Sequence, residues 1–175
     1  MTHSLSRALP AIVTGLNALA VVLDKGEAFA AAKKIDASVL LQARLAPDMF
    51  PLTRQVQIAC DLAKNGFARL AGVEPPKFED NETTIAQLKD RIARTIALVQ
   101  GLDAAAIDGA SGREIVFPMG GTNKGKMNGP DYLSYFVIPN VYFHLTAAYA
   151  VLRHCGVEVG KRDFLGAMPL EMIQA

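Results

Sequence analysis

The sequence contains no tryptophan, only two cysteines and three histidines, and no run of like charges. Cys60 and Cys155 are too few for a disulfide framework, and each lies in an apolar helical pattern, which indicates free thiols and a cytoplasmic location. Eighteen basic and seventeen acidic residues give a formal charge of +1, so the composition excludes an electrostatic footprint for nucleic acid. We therefore expect a neutral partner or substrate, or none, and no nucleic acid.

The chain also lacks an uninterrupted apolar run long enough to cross a membrane. The best candidate, Ala8 to Leu23, is interrupted by Thr14, Gly15 and Asn17, and it is shorter than the roughly 20 residues that a spanning helix needs. Its apolar residues recur at steps of three and four, as they do on one stripe of an amphipathic helix. We predict a core helix here rather than a signal peptide, and no membrane partner.

Helical periodicity dominates what the sequence does contain. A chain of 175 residues, 51% of them hydrophobic, fits a single domain over 1–175 with its own core. The pattern predicts four long helices: about Ser4 to Lys25, about Ser38 to Ala71 with Pro47 and Pro51 kinking or dividing it, Asn81 to Gly101 with Asn81 as the cap, and Pro139 to Gly156. Short connections suit antiparallel neighbours, so the fold class is all-α, a four-helix bundle.

Residues 103–138, between the third and fourth helices, have a different composition. They are rich in glycine and contain two β-prone pieces, Glu114 to Phe117 and Tyr132 to Ile138, which predict a small β-hairpin insertion. Gly120 to Met127 matches part of a phosphate-binding loop, but Met127 occupies the position of the required hydroxyl residue, and no helix start follows. We interpret that segment as a hairpin turn. A lid, an interface and a mobile loop all remain open as roles for the insertion.

The candidate site centres on His144, because His3 is in the terminus and His154 is near a helix end. Asn140 lies one turn before His144 on the same face, and Gln55 shares an inward stripe of the second helix. These three polar groups predict a central cavity that binds a small organic ligand or forms a hydrogen-bonded core. Amides bind zinc and nickel more weakly than imidazole does. We therefore predict no cofactor, with a divalent metal (Zn or Ni) on His144 as the alternative.

Three segments of the chain resemble one bacterial family. They are RLAPDMFPLTRQVQIACDLAK (44–64), PKFEDNETT (76–84) and PNVYFHLTAAYAVLRHCGVEVGKRDFLG (139–166). In this order they are similar to the family called domain of unknown function 1993, which resembles in turn the DinB-like and YfiT-like superfamily of four-helix bundles. The resemblance covers essentially the whole chain and implies a DinB-like bundle.

The resemblance also implies partners and chemistry. Members of the superfamily commonly form homodimers, as the wide apolar surface of the fourth helix also suggests. Many bind a divalent metal through three histidines, one on the second helix and two as His-x-x-x-His later, and some activate low-molecular-weight thiols. By this resemblance His144 matches the second histidine of the pair, Asn140 replaces the first, and Gln55 is nearest to the helix-two ligand.

Two of the three imidazoles are therefore replaced, which implies a degenerate metal site. The main hypothesis is an uncharacterised bundle with a polar central cavity that binds a small ligand. The alternative is a divalent-metal-dependent enzyme similar to a thiol S-transferase, and a purely structural dimer is a third class. Whether the protein is an enzyme stays open at this point, and so do the substrate and the pathway.

Overall fold

A computed structural model gives the fold of residues 4–171, so His3 lies outside the described part of the chain. Four long helices form the bundle: α1 (Leu9–Lys33), α3 (Leu52–Ala71), α4 (Ile85–Gln100) and α7 (Ile138–His154). Shorter helices are α2 (Ser38–Gln42), α5 (Ala104–Asp108), α6 (Gly129–Asp131) and α8 (Lys161–Leu165). Turns of 3₁₀ helix cover Leu5–Ala8 and Gly109–Gly112, and a π-helical turn, Tyr132–Val137, joins α6 to α7. A single hairpin in residues 4–171 pairs β1 (Glu114–Pro118) with β2 (Lys124–Asn128) in antiparallel order. The predicted all-α four-helix bundle with a small hairpin insertion is confirmed.

The core lies between the four long helices, and α3 contributes most to it. The apolar stripe of α3 includes Leu52, Val56, Ala63 and Phe67, all fully buried, and α3 packs on both α7 and α4. α1 packs against α4 and α7 on the other side of the bundle. This arrangement turns Gln55 on α3 toward α7, which positions the candidate site.

The predicted helix boundaries are wrong in several places, and the first helix continues past its predicted end at Lys25 to Lys33. Of the two alternatives for the second helix, kinked or divided, the structure shows the divided form, because Pro47 lies in a turn and Pro51 in extended backbone between α2 and α3. The third helix is capped by Thr84 rather than Asn81: the Thr84 hydroxyl accepts from the backbone N–H of Gln87, and the Gln87 side chain accepts from the backbone N–H of Thr84. This reciprocal capping box satisfies two donors at the helix start, so α4 begins at Ile85.

The predicted strand at Tyr132–Ile138 is also wrong, because this segment is helical. Pro139 has no N–H and its ring crowds the preceding turn, which a wider π-helical turn relieves. The aromatic rings of this turn pack on the hairpin, with the Phe117 ring 4.7 Å from Tyr132 and 4.4 Å from Phe136. The second strand is instead Lys124–Asn128. The interpretation of Gly120 to Met127 as part of a hairpin is therefore confirmed, with residues 119–123 forming the turn and Lys124 to Met127 belonging to β2.

Two helical stretches, Leu5–Lys33 and Gly129–His154, are long and apolar enough by length and composition to cross a membrane. Both are core helices of the bundle, and such helices satisfy the same criteria, so they are weak evidence for a span. Only 39% and 44% of their most apolar windows are buried in this single chain. Apolar surface is therefore left exposed on both helices.

A buried arginine fastens the linker between α3 and α4 to the bundle. The Arg91 side chain on α4 is fully buried, and its guanidinium lies 2.9 Å from a carboxylate oxygen of each of Asp61, Asp80 and Glu82. Its Nη1 also donates to the backbone carbonyl of Glu79 at 3.0 Å. Since an unpaired buried charge is strongly destabilising, these partners are what allow the guanidinium to lie inside the protein. We call Arg91 with Asp61, Asp80 and Glu82 the arginine clasp.

The rest of the linker follows the same pattern. The Phe78 ring is contacted by three cationic groups, those of Lys64, Arg91 and Arg94, at 4.9, 5.7 and 4.7 Å from its centroid. Glu82 is buried and also accepts a hydrogen bond from Gln57 Nε2 at 2.8 Å. Although burial opposes ionisation, the hydrogen bonds from Arg91 and Gln57 hold the pKa of Glu82 below its usual value. The linker is thus held by charged contacts along most of its length.

We expect Arg91→Met to lower the free energy of unfolding by about 3–5 kcal/mol, because Glu82 would stay buried without its cationic partner. Urea unfolding followed by far-ultraviolet circular dichroism measures this. The matched control is Arg94→Met, since Arg94 is half exposed and pairs with Asp90 one turn away on the same helix. Its loss should be about 1 kcal/mol or less. Equal losses in the two variants would contradict the role of the arginine clasp.

Candidate functional site

His144 on α7 and Gln55 on α3 meet across the bundle. Nδ1 of His144 lies 2.7 Å from Oε1 of Gln55, and Nε2 of Gln55 donates to the backbone carbonyl of Phe50 at 3.1 Å. Because a carbonyl can only accept, it must face the amide nitrogen of Gln55, and this turns Oε1 toward His144. Since Oε1 can only accept as well, Nδ1 of His144 carries the proton. The neutral ring then has its lone pair on Nε2, to which no residue between positions 4 and 171 donates a hydrogen bond.

The local backbone explains why the Phe50 carbonyl is available. Phe50 precedes Pro51, the N-cap of α3, and the first helical hydrogen bond of α3 goes to the Pro51 carbonyl rather than to that of Phe50. The segment is held in place by Leu52, whose N–H donates to the Ala43 carbonyl at 2.9 Å. The side chain of Gln55 can then fold back over the first turn of its own helix.

Burial keeps His144 neutral. Its side chain is only 8% exposed, and its ring lies edge-on to Phe143 with centroids 5.1 Å apart. Burial and, to a smaller extent, the positive charge of Arg54 lower the pKa of His144 to about 4. Such an imidazole can accept a hydrogen bond or offer a lone pair to a metal near pH 7. It is a weak general base there, because its pKa lies far below that pH.

Asn140 does not join this pair. Its Nδ2 donates to the backbone carbonyl of Phe136, one turn earlier on the same helix, at 2.7 Å. That carbonyl lies in the π-helical turn, just before Pro139, where the regular pattern of helix hydrogen bonds changes. The structure therefore brings together two of the three predicted residues, Gln55 and His144, and places the third in a hydrogen bond with its own helix.

The donors around His144 do not fit a three-ligand metal site. Within residues 4–171, no group of three or more His, Cys, Asp or Glu side chains lies close enough together to hold a metal ion. The Oε1 atom of Gln55 is occupied by His144, and the amide of Asn140 is turned to the helix backbone. A histidine that binds a metal usually donates its other ring N–H to an outer-shell partner. Gln55 contacts His144 as such a partner would, rather than as a ligand of the metal.

The two cysteines offer no reactive thiolate. Burial raises the pKa of the Cys60 thiol to about 12, and it also raises the pKa of the half-buried Cys155. Both thiols are therefore protonated near pH 7, and a protonated thiol is a poor nucleophile.

An apolar groove beside His144 was not predicted from the sequence. It has a volume of about 430 Å³ and is lined by Leu45, Met49, Tyr142, Phe143, Thr146, Ala147 and Ala150. Phe143 and Phe50, which flank the hydrogen-bonded pair in sequence, are 59% and 54% exposed. Adjacent side chains on a helix point in different directions, so a residue directly before a buried histidine faces away from it. This geometry is the one signal in the sequence that could have pointed to an exposed Phe143.

We expect the stability of the protein to depend on pH through His144. Its pKa in the folded protein, about 4, is below the ordinary 6.5, so the unfolded chain binds more protons between these pH values. The free energy of unfolding is therefore highest above pH 6.5 and falls by about 3 kcal/mol as the pH decreases to 4. Urea titrations of the wild type and of His144→Gln across this range measure the difference. An identical pH dependence in the two proteins would contradict the assignment.

Comparisons with known proteins agree with this fold. A model of the family described as Domain of unknown function (DUF1993) matches residues 6–165. A crystal structure of a DinB family member protein from Shewanella denitrificans is similar, with a TM-score of 0.88 and 44% sequence identity over 97% of this chain and 95% of that chain. A search of curated proteins finds no match. The chain therefore belongs to the family of the domain of unknown function DUF1993, with the four-helix fold of the DinB family.

Proposed function

We propose that this protein binds a small organic ligand through the Nε2 atom of His144 and that its metal site is degenerate. The hydrogen-bonded chain from the Phe50 carbonyl through Gln55 to Nδ1 of His144 carries this proposal. It fixes the tautomer and the orientation of the ring, so the lone pair on Nε2 is prepared in advance. Preorganisation of this kind lowers the cost of binding.

The chemistry of the site favours an uncharged ligand with a hydrogen-bond donor. A neutral imidazole with its lone pair on Nε2 accepts from a hydroxyl, an amide N–H or a thiol, and the Phe143 ring that lies edge-on to His144 suits a hydrocarbon body. Arg54 disfavours a cationic ligand beside the ring, as it disfavours the protonated ring itself. Gln55 acts on this ligand through His144, so it is a positioning residue.

A metal-dependent thiol S-transferase is the second candidate. One observation favours it: Gln55 orients His144 as an outer-shell partner orients a ligating histidine. Water or carboxylates would then have to supply the remaining ligands, since the amides of Gln55 and Asn140 are already in hydrogen bonds. This donor set makes the ligand-binding function the better supported of the two.

We also propose that the protein forms a cytoplasmic homodimer through the apolar groove. Phe143, Phe50 and Leu45 are exposed in the single chain and lie on or beside the groove, where a second copy would cover them. Apolar surface of this kind on a helix that also serves the core is typical of a subunit interface. The free thiols of Cys60 and Cys155 support the cytoplasmic location.

The proposed function is tested by metal content and ligand binding together. Untagged protein incubated with nickel, zinc and manganese should retain far less than one metal per chain by plasma mass spectrometry. In a thermal-shift screen with small alcohols, amides and thiols, compounds that stabilise the wild type should bind about five- to tenfold more weakly to His144→Phe, because one hydrogen bond is lost. The matched control is His154→Ala, an exposed histidine at the end of the same helix, which should bind as the wild type does.

Two results would contradict the proposal. One metal per chain that disappears in His144→Ala would establish the metal-dependent alternative instead. Ligands that bind equally to the wild type and to His144→Phe would show that binding does not involve Nε2. A His144 variant that fails to fold is recognised by its circular dichroism, and Gln55→Ala then supplies the second test, because it releases the ring without removing it.

For the homodimer, we expect Phe143→Asp to convert a dimer into a monomer of 18.7 kDa, since a carboxylate would be buried in the apolar interface without a partner. Sedimentation velocity over a range of protein concentrations measures the mass. The matched control is Val21→Asp, a similarly exposed apolar position on α1, which should remain dimeric. A wild type that is monomeric at all concentrations, or a Phe143→Asp dimer, would contradict the proposed interface.

A further inference from the structure

A second groove lies on the other side of Tyr142, between the first half of α1 and the segment that follows α8. Its volume is about 480 Å³, within the range of roughly 300–1,000 Å³ typical of small-molecule sites. Its walls are mostly apolar and include Pro10, Phe164, Leu165, Met168 and Pro169. Tyr142 is the one residue that lines both this groove and the groove beside His144, so the two grooves are separate.

Two glycines shape this groove. Gly166 has a φ of +66°, which turns the chain back along α1, and a Cβ there would lie 3.1 Å from the Cβ of Ala18. Gly15 lines the groove, and a Cβ there would lie 2.8 Å from a methyl group of Leu145 on α7. Because both positions lack a side chain, α7 and the segment 166–170 approach α1 closely. The groove therefore has three backbone elements as walls.

Arg7 is the one charged residue that lines the groove. It is exposed, and its guanidinium makes no ion pair or hydrogen bond with another residue between positions 4 and 171. Asp108 contacts the same N-terminal turn, but its carboxylate accepts hydrogen bonds from the hydroxyl of Ser4 and from the backbone N–H of Ser6, at 3.0 and 2.8 Å. Those hydrogen bonds lower the pKa of Asp108 but leave Arg7 without an anion.

The combination of one unpaired guanidinium and long apolar walls selects the chemistry of the ligand. We propose that this groove binds a medium-chain carboxylic acid, with the carboxylate on Arg7 and the acyl chain between α1 and the segment 166–170. A guanidinium pairs with a carboxylate through two parallel hydrogen bonds, which gives the head group a defined place. The acyl chain contributes through the apolar area that it removes from water.

Isothermal titration calorimetry with decanoate tests this proposal, and decanol serves as a matched uncharged ligand. Decanoate should bind one per chain and about fivefold more tightly than decanol, since an ion pair at an exposed rim adds a modest contribution. Arg7→Gln should remove that difference without abolishing decanol binding. Arg153→Gln, which removes an exposed cation near the far end of α7, should bind both compounds as the wild type does.

A second variant tests the apolar part of the site. Ala11 is exposed and lines the groove, so Ala11→Phe fills the groove without touching the core, and decanoate should then bind at least about tenfold more weakly. Equal affinities for decanoate and decanol, or unchanged binding to Ala11→Phe, would overturn the proposal. So would a shift from dimer to monomer in Ala11→Phe, because it would show that a second copy of the chain covers this groove.

Discussion

The burial of one positive charge, that of Arg91, constrains most of the structure. Its guanidinium is fully enclosed, and its partners come from α3 and from the linker that leads to α4. Helix α4 therefore cannot move away from α3 without separating the buried guanidinium from its carboxylate partners. Two atoms of α4, Arg91 Nε and Thr95 Oγ1, are buried without a hydrogen-bond partner in the described chain, which offsets part of the gain.

The arginine clasp also extends toward the candidate site. Asp80 contacts both Arg91 and Arg54, and Arg54 donates a hydrogen bond to Gln57 at 3.1 Å. Burial lowers the pKa of His144, and the positive charge of Arg54, held in this way, lowers it further. A protonated His144 would place a second cation beside Arg54 in a partly buried region. The charges that fasten the linker thus help to keep the ring of His144 neutral. Only the neutral ring has a lone pair on Nε2 that can accept a hydrogen bond from a ligand.

The fold could be predicted from sequence because helical periodicity records which face of each helix is buried. The same logic placed Gln55 and His144 inward on different helices, and the structure brings them into contact. Tyr132–Ile138 could not be read in this way, since its apolar and aromatic residues suit a strand as well as a helix that packs on a hairpin. The burial of Arg91 could not be predicted from the sequence either. Charged residues on helices are usually exposed, and its burial depends on the path of a linker that contains no periodic pattern.

A histidine that binds a metal and a histidine that binds an organic ligand need the same support at one nitrogen and different surroundings at the other. Here Gln55 and the Phe50 carbonyl supply the support, which fixes the ring as firmly as an outer-shell partner would. Within the described chain, no set of carboxylates or imidazoles that could bind a metal lies near His144. Phe143 and an apolar groove lie beside it instead. An oriented lone pair with apolar neighbours suits a hydrogen-bond donor on a hydrocarbon body, and this is why we propose an uncharged organic ligand rather than a cation.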